Sequence, residues 1–322
     1  MSFIRTVLGD IFAAQLGVCY AHEHIIIDRS FPTHEDPSFL LDSVDAAAAE
    51  LRELYALGGR AVIDSMPCDS GRNILKLAAV SQQSGIHIVA PTGVHLEKYY
   101  PPGHWSGTYS VEEMAGLFIA DIQEGIDAGD YGGPLLRRTS HRAGVIKVAS
   151  GKDALTAREE KIFHAAAQAH LATGCPILTH TEQGTAALEQ VALFQQAGVH
   201  LDHIVLSHLD RRNDPTYHRE VLSTGVRVEY DSAFRWKSGE PNITLELLLQ
   251  LQPEFPDQIM LGMDAARRSY WKSYGGGPGM GYLLEAFQPR LEREGVTPEM
   301  LHRIFITTPA SAYSFVKNPS AP

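Results

Sequence analysis

Apolar residues along the chain gather into short runs that are bounded by turn residues. Eight such runs are rich in valine, isoleucine or leucine, and they lie at 19–27, 60–66, 86–94, 143–149, 175–181, 203–209, 226–232 and 258–264. Continuous apolar runs of this length are typical of strands buried on both faces, as in parallel sheets. The pattern therefore predicts eight buried β-strands.

The segments between most of these runs have the apolar spacing of amphipathic helices. The segment 46–57 is rich in Ala, Leu and Glu and stops at Gly58-Gly59, a common end signal of a helix. Two further segments also stop at a glycine, and the full set of additional predicted helices is 73–84, 110–127, 156–173, 185–196, 215–223, 243–251 and 281–294.

Strand and helix alternate eight times, which is the α/β pattern of a (β/α)8 TIM barrel. The usual length of such a barrel, about 250 residues, leaves room for longer loops in a chain of 322 residues. A doubly wound open sheet is the alternative, and the lack of a Gly-x-Gly-x-x-Gly or Walker A turn after any early strand disfavours it. No linker divides the chain, so a single domain over 1–322 is predicted.

Two long non-helical stretches, 95–109 and 265–280, follow the third and the eighth predicted strands. Loops after the strands of a TIM barrel lie on its C-terminal face, where such enzymes place their active sites. Long loops in a compact domain are usually functional or disordered, and the aromatic residues of these two argue against disorder. Both loops are expected to border a site.

Composition excludes several classes of partner. The formal net charge of −11 argues against nucleic acid or an anionic membrane surface, because either would need a net basic face. No apolar run approaches the roughly 18 residues of a membrane span, and no signal peptide is convincing. Cys19, Cys68 and Cys175 lie in or beside apolar runs, which predicts buried reduced thiols and a cytoplasmic location.

Histidines and an aspartate recur at the ends of the predicted strands. His22 and His24 are two residues apart on the first strand, so both imidazoles point to one side and can hold one metal ion. His180, His208 and Asp264 end later strands. Each residue taken singly is more often a satisfied core group. Together with a buried lysine at one barrel mouth, they predict a site for two divalent metal ions.

That lysine is Lys147, in the apolar stretch Val145-Ile146-Lys147-Val148. A charged amine is costly there unless it is paired, and burial lowers its pKa towards the neutral form. A neutral amine can take up CO2 as a carbamate, and that anion can bridge two cations. An ordinary lysine paired with Asp264 is the alternative.

These strand-end residues lie in motifs that occur together in a known family. The motifs, in chain order, are Thr6-Val7-Leu8-Gly9, His22-Glu23-His24, Ile146-Lys147-Val148, Thr179-His180-Thr181, Ser207-His208 and Gly262-Met263-Asp264. With them the chain resembles the phosphotriesterase-like branch of the amidohydrolase superfamily over nearly its whole length.

The resemblance implies a binuclear metal hydrolase with its metal centre at the C-terminal face of the barrel. His22, His24 and Asp264 would bind one metal, and His180 and His208 the other. Carboxylated Lys147 would bridge the two metals together with a hydroxide. Asp264 would take the proton of the hydroxide and pass it to the leaving oxygen. Zinc is the expected metal, with manganese or cobalt as alternatives, and the family makes a homodimer plausible.

Basic residues cluster after the seventh and eighth strands, at Arg235, Lys237, Arg267, Arg268 and Lys272. Barrels commonly bind phosphate on these loops, and a solvated basic loop is the alternative. Within the family, lactonases of phosphorylated sugar lactones are similar, with a lysine on loop 7 and an arginine and a tyrosine on loop 8 around the phosphate.

The positions of this chain that match those phosphate-binding residues are Lys237, either Arg267 or Arg268, and Tyr270. The expected function is therefore the opening of a phosphorylated sugar (furanose) lactone, an anionic small-molecule substrate. Tyr99 is a candidate hydrogen-bond donor to the lactone, or it packs the loop against the rim. The alternatives are a phosphotriesterase, an acyl-homoserine lactonase with the same metal site, or a barrel that binds a ligand without catalysis.

Overall fold

A computed structural model of the chain describes residues 2–236 and 240–316. Within these residues the strands are β1 (Phe3–Thr6), β2 (Gly9–Phe12), β3 (Val18–Glu23), β4 (Gly59–Asp64), β5 (His87–Val89), β6 (Pro91–Gly93), β7 (Val145–Ser150), β8 (Ile177–Thr181), β9 (Ile204–Ser207), β10 (Arg227–Tyr230) and β11 (Ile259–Leu261). The α-helices are α1 (Phe31–Glu35), α2 (Val44–Ala56), α3 (Ile74–Ser84), α4 (Trp105–Thr108), α5 (Val111–Gln123), α6 (Ala157–Thr173), α7 (Ala187–Gln196), α8 (Pro215–Ser223), α9 (Ile243–Leu251), α10 (Gln288–Arg293), α11 (Pro298–His302) and α12 (Thr308–Ala312).

The strands from β3 onward pair in chain order and in parallel, as β3-β4-β5 and β6-β7-β8-β9-β10-β11. This order confirms the predicted α/β class. The third predicted strand is divided at Ala90, so that β5 pairs with β4 whereas β6 pairs with β7. Pro91 follows the break, and a proline has no N–H to donate to a ladder. The Ala90 carbonyl instead accepts a hydrogen bond from Gly144 N–H at 2.9 Å.

The first and last parallel strands meet at their C-terminal ends. Among the described residues no ladder joins β11 to β3, but Met263 and Asp264 donate their N–H groups to the His22 carbonyl at 3.3 and 3.0 Å. The buried carboxylate of Glu23 accepts a second bond from Met263 N–H at 2.8 Å. At Gly262 a Cβ atom would lie 2.8 Å from the backbone of His22, so this close approach requires glycine.

Side-chain alternation along the strands decides which residues face the interior. Val145 on β7 and Leu178 on β8 belong to an inner apolar cluster that also includes Val205 and Met260. Because side chains two residues apart share a face, the layer nearer the C-terminal ends of the strands contains Lys147 and other polar residues above this cluster. The apolar cluster therefore forms the floor of a polar site.

Helices α2, α3, α6, α7, α8 and α9 begin and end within two residues of the predicted bounds. The helix predicted over 110–127 ends at Gln123, since Gly125 has φ of 136° and no helix continues through that conformation. The helix predicted over 281–294 is a π-helical segment, Leu283–Phe287, followed by α10. The β1-β2 hairpin and helices α1, α4, α11 and α12 were not predicted, because each is only four or five residues long.

All three cysteines are free and buried, as predicted. In the part of the chain that the structure describes, no helix combines the length and the apolar character that a membrane crossing would require.

A buried carboxylate ties the loop after β11 to helix α2. Glu50 is 1% exposed and accepts hydrogen bonds from the backbone N–H groups of Ser273 at 2.8 Å, Met280 at 3.0 Å and Lys272 at 3.4 Å. These amides stand at both ends of the segment 272–280. Glu50 therefore holds the shape of the loop that carries the predicted phosphate-binding residues.

We expect Glu50→Ala to lower the free energy of unfolding by about 3 kcal/mol, because a buried N–H that loses its partner costs about 1–3 kcal/mol. Denaturant unfolding would measure the change. Glu53→Ala is the matched control on the same helix, since Glu53 is 56% exposed and only 3.7 Å from Lys272, and exposed pairs contribute about 0–1 kcal/mol. Equal losses in the two variants would contradict the role of Glu50.

Candidate active site

Four histidines and one aspartate converge at the C-terminal ends of the strands. The ring centroids of His22 lie 5.6 Å from His24 and 4.8 Å from His208, and those of His180 and His208 are 4.6 Å apart. Asp264 Oδ1 lies 3.2 Å from His24 Nε2 and 3.7 Å from His22 Nε2. The structure thus brings together all five of these predicted residues.

Two of the five residues have a left-handed backbone. His208 has φ of 69° and Asp264 has φ of 48°, values that residues other than glycine adopt infrequently and that often occur at functional sites. His208 directly follows β9, and Asp264 lies three residues after the end of β11. This backbone turn redirects each side chain at the end of its strand.

Burial keeps the imidazoles of His22, His180 and His208 in the neutral form that binds metals. It lowers the pKa of His208 to about 3, and with the nearby positive charge of Lys147 it also places the pKa of His22 well below its usual value. The pKa of His180 is lowered as well, again mainly by burial. These rings can therefore offer lone pairs at neutral pH.

Lys147 lies among these residues and is 1% exposed. Its Nζ has neither a hydrogen-bond partner nor an ion pair among the described residues, so a salt bridge to Asp264 is not formed. Burial lowers the pKa of Lys147 to about 8, against the opposing charges of Glu229 and Asp264. At Gly93, on the neighbouring strand, a Cβ atom would lie 1.9 Å from the Lys147 carbonyl oxygen. An unpaired buried amine of lowered pKa fits the predicted carbamate.

Two carboxylates that the sequence analysis missed orient the histidines. Glu229 Oε1 lies 2.7 Å from His22 Nδ1, and Asp231 makes a short contact with His208 Nδ1. Each contact leaves the Nε2 atom of its histidine free, as is usual where an outer carboxylate fixes a metal-binding imidazole. The signal was present in the run 226–232, where two acidic residues two positions apart alternate with Val228 and Tyr230 and so point to the same side of the strand.

Burial also affects these two carboxylates. It raises the pKa of Glu229 well above its usual value, assisted by the neighbouring charge of Asp231. Burial opposes ionisation of Asp231 too, but its interaction with His208 and the charge of Arg211 outweigh burial and hold the pKa of Asp231 well below its usual value. The pKa values of these two carboxylates are therefore shifted in opposite directions.

The described residues contain two groups of possible metal ligands. Within each group, the donor atoms all lie within 4.8 Å of one another. One group is His22, His24 and Asp264, which matches the ligands predicted for one metal, and the other is His22, His208, Glu229 and Asp231. His180 belongs to neither group, and its Nε2 lies 3.3 Å from Glu182 Oε2. The chemistry of the donor atoms suits a divalent metal such as zinc.

We expect Asp231→Asn to weaken metal affinity by about 10–100-fold, because replacing an outer partner of a ligating histidine typically has this effect. Titration of metal-free protein with zinc would measure it. Asp202→Asn, in which an exposed carboxylate is changed far from the histidine cluster, is the control. Unchanged affinity in Asp231→Asn would show that His208 needs no such partner.

Two arginines donate hydrogen bonds to the Oδ2 atom of Asp264. Arg211 Nη2 and Arg235 Nη2 each lie 2.7 Å from Asp264 Oδ2, and Arg211 also reaches Asp231 at 3.2 Å. Burial opposes ionisation of Asp264, but the charge of Arg235 and the hydrogen bond with His24 outweigh it and hold the pKa of Asp264 well below its usual value. Arg235 was predicted in the basic cluster, whereas Arg211 was missed.

One cleft joins the histidine cluster to part of the basic cluster. Its lining includes His22, His24, His180, His208 and Asp264 together with Tyr99, Arg267 and Tyr270. The predicted substrate-binding positions Tyr99, Arg267 and Tyr270 therefore share a cavity with the predicted metal ligands. Lys237 lies outside the described residues.

The structure distinguishes the two adjacent arginines. Arg267 lines the cleft, and its Nη1 lies 2.7 Å from Asp36 Oδ2. Arg268 is exposed and does not line that cleft; its guanidinium lies 4.5 Å from the Tyr274 ring centroid. Lys272 is exposed as well and pairs with Glu285 at 3.1 Å. Among these three cations, Arg267 is the one placed to meet a ligand.

The fold and these residues define a class of protein. The Phosphotriesterase family matches residues 2–313, so the chain belongs to that family. Proteins of this family are metal-dependent TIM barrels, and the chain has a buried histidine and aspartate group able to bind a metal.

Individual relatives are similar over nearly the whole chain. A phospho-furanose lactonase of Mycoplasmopsis synoviae (strain 53) is 33% identical, over 97% of this chain and 92% of that protein. The crystal structure of a lactonase from Listeria monocytogenes is 30% identical with a TM-score of 0.90, covering 98% of this chain and 100% of that one. The crystal structure of the phosphotriesterase homology protein from Escherichia coli, complexed with phosphate in its active site, is 31% identical with a TM-score of 0.84. The match covers 93% of this chain and 99% of that one.

Proposed function

We propose that this protein is a metal-dependent lactonase that opens the ring of a phosphorylated sugar lactone. One observation carries the proposal: a single cleft is lined both by the histidine and aspartate cluster and by Arg267 and Tyr270. The similarity to a phospho-furanose lactonase supports the same substrate class. The single domain, the homodimer and the cytoplasmic location stay predictions.

The residues of the cluster would hold two divalent ions. His22, His24 and Asp264 would bind one, His180 and His208 the other, and the carbamate of Lys147 would lie between them. When bound, two such ions bring the pKa of a shared water close to neutrality and polarise a carbonyl group. Zinc is the expected metal, and manganese or cobalt would also accept these ligands.

Asp264 is the proposed proton carrier of the reaction. Its Oδ2 accepts from Arg211 and Arg235, which fixes the plane of the carboxylate and turns Oδ1 towards His24. A carboxylate held in this way can accept the proton of the attacking water and deliver it to the oxygen that leaves the carbonyl carbon. The two arginines are positioning residues for this step.

Arg267 is the proposed anchor for the phosphate. Its contacts to Asp36 and Ser38 use only Nη1, so within the described residues Nε and Nη2 make no hydrogen bond and can bind a phosphate as a fork. Tyr270 lines the same cleft, and Lys237 is proposed as a third contact by analogy with the family. A phosphate bound there orients the lactone without taking part in the reaction. Tyr99 is proposed as a donor to the lactone.

The test is hydrolysis of a panel in which each sugar lactone is paired with its phosphorylated form, using protein of counted metal content. We expect a strong preference for the phosphorylated member of each pair. Metal-loaded protein that does not distinguish the two forms, or that prefers an organophosphate triester or an acyl-homoserine lactone, would overturn the proposal.

A further inference from the structure

His95 lines the cleft beside the histidine cluster, and no step of the proposed reaction uses it yet. It follows β6 by two residues, and its ring centroid lies 4.9 Å from that of His180 and 4.7 Å from that of Tyr99. It belongs to neither group of donor atoms that could hold a metal ion. Because the side chain lines the same cleft as Tyr99, Arg267 and Tyr270, it is placed to meet the substrate.

The backbone around His95 fixes which ring nitrogen carries the proton. The N–H of Leu96 donates a hydrogen bond to His95 Nδ1 at 2.7 Å. A nitrogen that accepts such a bond carries no hydrogen, so the neutral imidazole has its proton on Nε2. Within the described residues Nε2 has no hydrogen-bond partner, while the ring itself lines the cleft. The cleft thus contains an N–H donor that is not in use.

The donor is also held rigidly. The N–H of His95 donates to the hydroxyl of Tyr100 at 2.8 Å, and that hydroxyl donates to the Cys68 carbonyl at 3.1 Å. Tyr100 is 4% exposed and Leu96 is 6% exposed. Donors fixed before the substrate arrives stabilise developing charge most effectively, because they need no reorganisation during the reaction.

We propose that His95 is a catalytic residue whose Nε2–H donates a hydrogen bond to the ring oxygen of the lactone as the ring opens. The proposal rests on the proposed function. Polarising the carbonyl oxygen is chemistry that divalent metals supply. The ring oxygen is then the lactone atom whose developing charge still needs a donor from the protein.

The bonding changes balance without ionisation of His95. Water adds to the carbonyl carbon, the bond from that carbon to the ring oxygen breaks, and the ring oxygen leaves with the electron pair. The proton that converts this oxygen to an alcohol comes from the attacking water through Asp264. His95 keeps its own proton, and its hydrogen bond stabilises the negative charge until that proton arrives.

The experiment compares each lactone with the matching thiolactone, in which sulfur replaces the ring oxygen. A thiolate is a more stable leaving group and a weaker hydrogen-bond acceptor than an alkoxide, so it depends less on a donor. We expect His95→Phe to lower kcat for the lactone by about 10²-fold, the usual effect of removing one such donor. The loss of kcat for the thiolactone should be about tenfold smaller.

His95→Gln is the second variant, since its side-chain amide can return an N–H near the position of Nε2. We expect it to recover most of kcat. Both variants should keep the metal content of the wild type, because His95 is not a proposed ligand. Equal losses on lactone and thiolactone, or loss of metal together with activity, would overturn the proposal in favour of a structural role beside His180.

The tautomer is tested without turnover. The protein is loaded with zinc and labelled with ¹⁵N in its histidines, and the ring signals of His95 are identified as those absent from His95→Gln. In the wild type these signals should show a proton on Nε2 and none on Nδ1. The opposite tautomer would overturn the proposal. If the wild-type protein opens no lactone, both the proposed function and the role of His95 are refuted. If the wild type is active and the His95 variants are equally active, only the role of His95 is refuted.

Discussion

Replacing Lys147 with methionine is expected to remove bound metal and hydrolytic activity together. The Lys147 side chain is buried, and its Nζ has no partner in the part of the chain that the structure describes. Methionine keeps the length and the packing but cannot form a carbamate, so the proposed bridging anion would be lost. Metals contribute several kcal/mol to such reactions, and about 1.36 kcal/mol is tenfold in rate, so kcat/KM should fall by roughly 10³-fold or more.

The measurements are metal content by elemental analysis and kcat/KM for the best lactone of the panel. Lys152→Met is the matched control, because Lys152 is exposed on the loop that follows the same strand. It should leave both quantities unchanged. If Lys147→Met keeps its metals and its rate, a bridging role for Lys147 is wrong, whatever the substrate is.

Arg267→Ala is expected to raise KM for a phosphorylated lactone and to leave the unphosphorylated lactone nearly unaffected. Arg267 lines the cleft, and two of its donor groups have no hydrogen-bond partner within residues 2–236 and 240–316. Hydrogen bonds to charged groups contribute about 1.5–3 kcal/mol. The expected rise in KM is therefore roughly 10–150-fold. Steady-state kinetics on the two forms of one lactone would measure it.

Arg268→Ala is the control for this prediction, since it removes the same charge from the next residue. Arg268 is exposed and contacts Leu40 and Tyr274 rather than the cleft, so KM should change little for either lactone. Similar effects of the two substitutions would indicate that only the overall charge of the loop matters. An effect of Arg267→Ala on both lactones alike would indicate damage to the loop.

The order of strands and helices was predictable because each element carries its own local pattern. The helices over 215–223 and 243–251 were predicted at the residues where α8 and α9 begin and end. The divided third strand was not predicted, because the pairing partner of each half depends on strands that are distant in the chain. Short elements such as α4 were missed because they rely on contacts rather than on periodicity.

The predicted metal ligands could be identified from the sequence for a related reason. His180 and His208 lie at the ends of apolar runs, and His22 lies one residue before the end of β3. The ends of parallel strands meet on one face of a barrel. Arg211 carries no such signal, since it lies in a loop. Its role becomes visible only in its 2.7 Å contact with Asp264. The choice between Arg267 and Arg268 also depended on the fold, because two adjacent basic residues in a loop have the same local pattern.

The chain alone was thus sufficient for the α/β class, the order of its elements and the set of residues at the strand ends, because periodicity and strand-end position are local properties. Three-dimensional contacts were needed for the partners of those residues: Glu229 and Asp231 against the histidines, Arg211 and Arg235 against Asp264, and the tautomer of His95. A hydrogen bond depends on distances of a few tenths of an ångström between residues far apart in sequence, and only the packed fold sets those distances.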